Sequence, residues 1–142
     1  AQGEVPIGGV IWHEPTARVL AAGHNGRETT EDPTAHAEIV AIRRAATQLG
    51  TWRLLDCTLV VTLEPCCMCA GTAYWANIGR IVFGMTEQRL LECTGSHGEN
   101  PTMSVSSRYV FDHCQKAVEL IGPVPEMEAE IAAQQQAFWA QR

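Results

Sequence analysis

The sequence predicts an α/β layered domain. Three observations carry that expectation: two early apolar runs split by a proline turn, two helical segments with capping signals, and short β-branched runs between helices. No internal repeat, low-complexity tract or linker divides the 142 residues, so 1–142 reads as one domain. That length is enough to enclose a core.

Residues 5–12 (VPIGGVIW) read as a strand whose Gly8-Gly9 pair suits close approach. His13-Glu14-Pro15-Thr16 supplies a turn into a second strand over 17–22, which makes an antiparallel hairpin. Residues 23–32 are polar and loop-like. Asp32-Pro33-Thr34 then opens a helix, because Asp and Thr cap and Pro suits the first turn. Behind it Ile39, Ile42, Ala46 and Leu49 recur at helical spacing as a buried stripe, with Arg43, Arg44, Thr47 and Gln48 facing out. Gly50 stops the helix. Cys57–Leu63 (CTLVVTL) is a β-branched run that reads as a buried strand. A second helix is expected over 66–77, and further strands over 81–84 and 117–121. Pro125, followed by Glu126, Glu128 and Glu130, opens the last helix with acids at its positive end. The Gly- and Asn-rich stretch 92–102 is assigned no element.

Composition narrows the function classes. With 46% hydrophobic and 18% charged residues, the chain reads as a compact soluble enzyme, not a disordered or fibrous protein. No apolar run reaches the ~18 residues of a membrane span. The start, Ala1-Gln2-Gly3-Glu4, lacks the basic and apolar stretches of a signal peptide. A net charge of −6 weighs against sequence-independent affinity for nucleic acid. Three of the six cysteines cluster at 66, 67 and 69, a distribution that suits metal binding and free thiols in a reducing compartment. The expected location is the cytoplasm.

Two short pieces carry the chemistry, His36-Ala37-Glu38 and Pro65-Cys66-Cys67-Met68-Cys69. One histidine and two cysteines three apart make three zinc ligands and leave the fourth position open, as a catalytic rather than a structural site requires. Cys66 and Cys69 are expected in the first turn of a helix, both sulfurs on one face. The helix N-terminus helps keep them as thiolates, and its backbone N–H groups around Cys66 are placed to steady developing charge. Glu38 moves protons without being a ligand. His36 and Glu38 would lie about 200° apart within one helix, so they share a site only if the metal sits off the helix end.

At these residues the chain resembles the cytidine deaminase superfamily, whose base deaminases carry H-x-E…P-C-x-x-C. Residues 32–42 (DPTAHAEIVAI) and 58–71 (TLVVTLEPCCMCAG) look like both the tRNA adenosine deaminases and the bacterial guanine deaminases. Residues 80–84 (RIVFG) fit the former, and 5–11 with 22–25 (AGHN) look like yeast-type cytosine deaminase. The resemblance implies a three-layer α/β/α fold with a five-stranded mixed sheet, bound Zn2+ and a homodimer. It also implies that Asn25 hydrogen-bonds the substrate base and that Trp75 lines the base pocket. Three departures stand out. The family's first helix has no counterpart beyond residues 2–4. Cys67 is an extra thiol whose neighbour position points it away from zinc. The last helix, ending in Phe138-Trp139, lacks the basic residues that the tRNA-editing enzymes carry there.

Blander readings compete with some of these roles. Asn25 also suits a loop with an unusual backbone, and Trp75 stands on a helix whose other apolar residues face the core. Cys57, Cys93 and Cys114 read as inert thiols. The leading expectation is a hydrolytic deaminase of a free nucleobase, nucleoside or related amino-heterocycle, with guanine and cytosine first. The alternative is a tRNA adenosine-to-inosine deaminase, and a third reading is a non-catalytic zinc scaffold. Under either enzymatic reading, Glu38→Gln should leave zinc bound while turnover falls by the ~10²–10⁴-fold of lost general acid–base catalysis. Metal content and rate measured on the same preparation check it.

Overall fold

A five-stranded sheet in the order β2-β1-β3-β4-β5 forms the centre of the computed structural model, which describes residues 3–96, 98 and 101–142. β1 (Gly8–His13) pairs antiparallel with β2 (Arg18–His24) across a 3-10 turn at Glu14–Thr16, as the proline turn predicts. β1 also pairs antiparallel with β3 (Cys57–Leu63), which runs parallel to β4 (Arg80–Met85). β4 in turn runs parallel to the short β5 (Glu119–Ile121), so the sheet is mixed. No helix among the described residues is long and apolar enough to cross a membrane.

The helices divide between the faces. α2 (Ala37–Leu49), α3 (Cys67–Trp75) and α5 (Ser107–Asp112) share one core with the sheet, in which Ile11, Leu59 and Ile81 meet Ala41, Ile42, Ala70, Ala73 and Phe111. α6 (Pro125–Trp139) and α4 (Glu87–Thr94) close a second cluster of Leu63, Met85, Leu90 and Ile131. A short helix, α1 (Arg27–Thr30), precedes α2. α1, α4 and α5 are too short or too polar to show a periodic apolar face, which is why the sequence reading passes over them.

Several boundaries move for physical reasons. The carboxylate of Asp32 accepts from the Thr34 N–H (2.8 Å) and hydroxyl (2.7 Å), making a local turn, and α2 begins only at Ala37 with His36 as N-cap. α3 likewise starts one residue later than expected and stops at Trp75, with Cys66 as its N-cap. Leu49 is exposed, because Gly50 ends the helix there in a left-handed conformation and the buried face is completed by Ala41 and Ala45. Arg43, Arg44, Thr47 and Gln48 face outward as expected.

Close approach occurs at Gly23, not at Gly8-Gly9. A Cβ on Gly23 would lie 2.5 Å from the Ala37 carbonyl oxygen and 2.7 Å from the Ala41 nitrogen, whereas Gly9 has ordinary contact distances of 3.5 Å and more. The absent side chain lets α2 settle directly on β2, next to the turn that presents His36. Gly23→Ala should therefore force the helix off the strand and cost on the order of 1–3 kcal/mol, read as a lowered denaturation midpoint.

Candidate zinc centre

Two helix N-termini meet at the site. His36 is the N-cap of α2 with an extended backbone (φ −73°, ψ 151°), and Cys66 is the N-cap of α3 (φ −66°, ψ 171°). Neither side chain makes a capping hydrogen bond, so each is free to turn toward the other helix. His36 Nδ1 lies 3.7 Å from Cys66 Sγ and 3.5 Å from Cys69 Sγ, and all three atoms fall within 4.8 Å of one another. Tetrahedral zinc with N and S ligands at ordinary bond lengths puts such donors about 3.6 Å apart. The donor set and its spacing both fit the metal. Cys67, between the ligands, points elsewhere, with its sulfur 3.7 Å from Met103 Sδ. The six cysteines form no disulfide.

Charge at the cluster is shared among close groups. The Cys69 thiol donates to Cys66, and that bond, with His36 alongside, outweighs burial and lowers Cys66 to about 4. The same bond, together with burial, pushes Cys69 far up. The hydrogen bond to Cys66 raises His36 against the opposing effect of burial. Two sulfurs competing for one proton are what a divalent cation relieves, since it holds both as thiolates.

Glu38 stands in the first turn of α2, 3% exposed, in hydrogen-bond contact with Cys69. Its burial is the main cause of a carboxyl pKa raised to about 7. Placing His36 just outside the helix removes the 200° conflict, because the histidine no longer follows helical rotation. Asn25, Arg27, His36, Glu38, Glu87 and Met103 are among the residues lining a cavity of about 280 Å³.

Trp75 does not join this cavity. It is 74% exposed at the far end of α3, beside Trp52 and Met68 in a shallow depression. Trp75 lies six residues beyond the ligand Cys69 in α3, so helical rise carries it about 9 Å past that ligand along the axis. Phe138 and Trp139 pack edge to face at 5.1 Å near the end of α6, and neither lines the cavity. His97 lies outside the described residues.

Two acidic residues are missed by the sequence reading. Glu4 Oε2 accepts from Asn25 Nδ2 at 3.0 Å. Glu64, just before the Pro65-Cys66 step, accepts from the Ser107 N–H (2.9 Å), the Ser107 hydroxyl (3.0 Å) and the Glu87 N–H (3.1 Å). It thereby ties the starts of α4 and α5 to the strand end that delivers Cys66. No local pattern signals either residue, since their partners are 21 to 43 positions away. Replacing Cys69 by Ala should abolish stoichiometric zinc, whereas Cys67→Ser should retain one zinc per chain; elemental analysis after dialysis against a weak chelator measures both.

Comparison with known proteins agrees with this centre. The cytidine and deoxycytidylate deaminase zinc-binding region matches residues 1–85. The chain is 37% identical over 126 residues to the tRNA-specific adenosine deaminase of Haemophilus influenzae, covering 82% of this chain and 70% of that protein. It is 34% identical over 139 residues to a probable cytosine deaminase of Schizosaccharomyces pombe, covering 97% and 82%. Some relatives are far longer, and the chain spans only 7% of the chloroplastic tRNA(adenine(34)) deaminase of Arabidopsis thaliana. A solved structure from work on tRNA:A34 deaminases superposes with a TM-score of 0.69 at 34% identity, covering 88% of this chain and 83% of that one. The guanine deaminase of Nitrosomonas europaea shares the fold, with a TM-score of 0.76 at 20% identity over 94% of this chain and 72% of that one. With the matched region holding His36, Glu38, Cys66 and Cys69 together on this fold, the chain belongs to the cytidine and deoxycytidylate deaminase family.

Proposed function

We propose that the chain hydrolytically deaminates a free nucleobase, nucleoside or related amino-heterocycle, with guanine and cytosine the leading substrates. The observation that carries this reading is an enclosed carboxyl, Glu38, beside a cluster of three zinc-ligand atoms, with Glu38, His36 and Cys66 in the wall of one cavity. At about 280 Å³ the cavity is at the small end of ligand sites, on the scale of one heterocycle. The net reaction replaces an exocyclic C–NH2 by C=O, consuming water and releasing ammonia.

Zinc, when bound, supplies a Lewis acid that lowers the pKa of water from near 16 toward roughly 7 to 9. Glu38 takes the proton from the attacking water, passes it to the ring nitrogen and then assists departure of the amine. A carboxyl raised to about 7 by burial suits both directions of that transfer near neutrality. Backbone N–H groups at the uncapped start of α3 steady charge that develops on the ring. Asn25 holds the ring edge.

Charge distribution favours a small substrate over a polynucleotide. Arg43, Arg80 and Arg89 are each paired with acidic neighbours, Asp32, Glu14 and Glu119, and Glu92 and Glu128. The second reading, a tRNA adenosine-to-inosine deaminase, draws support from the 37% identity to the Haemophilus influenzae enzyme. A homodimer is the proposed assembly, supported by the exposed Trp52 (60%) and Trp75 (74%) on one face. Free thiols and the absence of any membrane-crossing helix among the described residues support a cytoplasmic setting.

Ammonia release from guanine, cytosine, adenine, their nucleosides, aminated triazines and a tRNA anticodon stem-loop tests the assignment on zinc-loaded protein. A small heterocycle turned over by the native chain and not by Glu38→Gln is the expected result. Turnover of the stem-loop alone would select the second reading, and no release from any of them would leave the zinc scaffold.

A further inference from the structure

The N-terminal segment places a carboxylate against Asn25, a residue in the wall of the substrate cavity. Glu4 Oε1 accepts from the Thr29 N–H (2.7 Å) and the Thr29 hydroxyl (2.8 Å), while its Oε2 faces Asn25 Nδ2 at 3.0 Å. The C-terminal end of the chain holds this segment at two points: Gln135 Nε2 of α6 donates to the Pro6 carbonyl at 2.9 Å, and Arg142, three residues past α6, donates to the Gly3 carbonyl. The strap therefore brings Glu4 to Asn25 in a defined position, although the sequence alone gives the Glu4 side chain no role.

The chemistry of this contact decides which way the Asn25 amide points. An ionised carboxylate only accepts hydrogen bonds, so the atom that faces Glu4 has to be the amide nitrogen. Partial burial of Glu4 opposes ionisation, but the Thr29 and Glu28 hydrogen bonds and the nearby Arg27 guanidinium outweigh it and hold the carboxyl below its ordinary range. No described residue donates to the side-chain oxygen Oδ1 of Asn25, and Asn25 lines the cavity. Asn25 itself is 3% exposed, and its backbone is anchored by its N–H to the Ile7 carbonyl at 3.0 Å. An enclosed amide with one end committed presents an acceptor to whatever enters.

We infer that Glu4 is a positioning residue that sets the polarity of the substrate pocket: it turns the Asn25 carbonyl oxygen into the cavity, and the site selects a heterocycle that offers an N–H donor at that edge. This rests on the proposed contact between Asn25 and the substrate. A ring with a lone pair at that position meets oxygen against nitrogen and leaves a buried acceptor unpaired. Sites built on such complementarity discriminate strongly, because the wrong partner leaves buried polar groups unsatisfied. With a neutral side chain at position 4 the constraint is gone, and the amide serves either as donor or as acceptor.

A double-mutant cycle on kcat/KM tests the inference, using the heterocycle released fastest in the ammonia assay and zinc-loaded native, Glu4→Gln, Asn25→Ala and doubly substituted proteins. Asn25→Ala is expected to lower kcat/KM about 100-fold and Glu4→Gln about 10-fold. In the Asn25→Ala background, Glu4→Gln should add less than about twofold. Analogues of that substrate with a single ring N–H replaced by C–H supply a second readout. The native protein should reject one of them by roughly 10- to 100-fold, and Glu4→Gln should reduce that preference to a few-fold. Thr29→Val, which removes one hydrogen bond to Glu4 while leaving its contact with Asn25, should keep the preference.

An equal Glu4→Gln loss in both backgrounds, or an unchanged analogue preference in Glu4→Gln, overturns the inference, since a merely structural strap acts without Asn25. If Asn25→Ala is costly and Glu4→Gln is neutral, the role of Glu4 fails while the Asn25 contact stands. If Asn25→Ala itself leaves kcat/KM unchanged, the substrate contact fails, and the polarity argument fails with it.

Discussion

The convergence of two helix N-termini is the constraint around which the rest of this protein is arranged. α2 and α3 each begin with a residue whose backbone is extended and whose side chain is not used as a cap. The partial positive charge of both helix ends is directed at the same few ångströms, where two sulfurs and an imidazole nitrogen meet. That field favours thiolates, and thiolates favour a divalent cation. Gly23 lets α2 lie against β2, and the parallel pairing of β3 with β4 brings α3 back over the same face of the sheet.

Around that meeting point the acids have distinct work. Glu38 is enclosed beside the ligands and carries a raised pKa because burial dominates its surroundings. Glu64 is equally buried, but three hydrogen bonds satisfy it and fasten the starts of α4 and α5. Glu4 is held by Thr29 and spends its second oxygen on Asn25. Each is a carboxylate near the site, and its surroundings differ: the ligand cluster for Glu38, the starts of α4 and α5 for Glu64, and Thr29 with Asn25 for Glu4.

Family membership and substrate identity are separate questions in this fold. The chain matches tRNA adenosine deaminases, a probable cytosine deaminase and guanine deaminase structures on the same framework. The family's zinc-binding region spans the metal cluster and Glu38 of this chain. Asn25, Arg27, Glu87 and Met103 are among the groups that line the cavity beside that cluster. In sites of this kind the pattern of buried donors and acceptors discriminates between similar rings, because a wrong partner leaves polar groups unpaired.

The sequence by itself singled out His36, Glu38, Cys66 and Cys69, which the fold brings together, and the strand of Cys57–Leu63, because each is a local pattern. Two cysteines three apart fall within one helical turn, and a β-branched run of seven residues suits a buried strand. The 3-10 turn, the hairpin and the outward face of α2 were legible for the same reason. Only tertiary structure decided that His36 stands just outside its helix, that Trp75 does not line the cavity, and that Glu4 meets Asn25 while Glu64 meets Ser107 and Glu87. Those outcomes depend on where a helix settles on the sheet and on contacts spanning 21 to 43 residues. Spacing constrains a side chain only over about one turn of helix or one step of strand; beyond that, packing of the whole domain selects its partner.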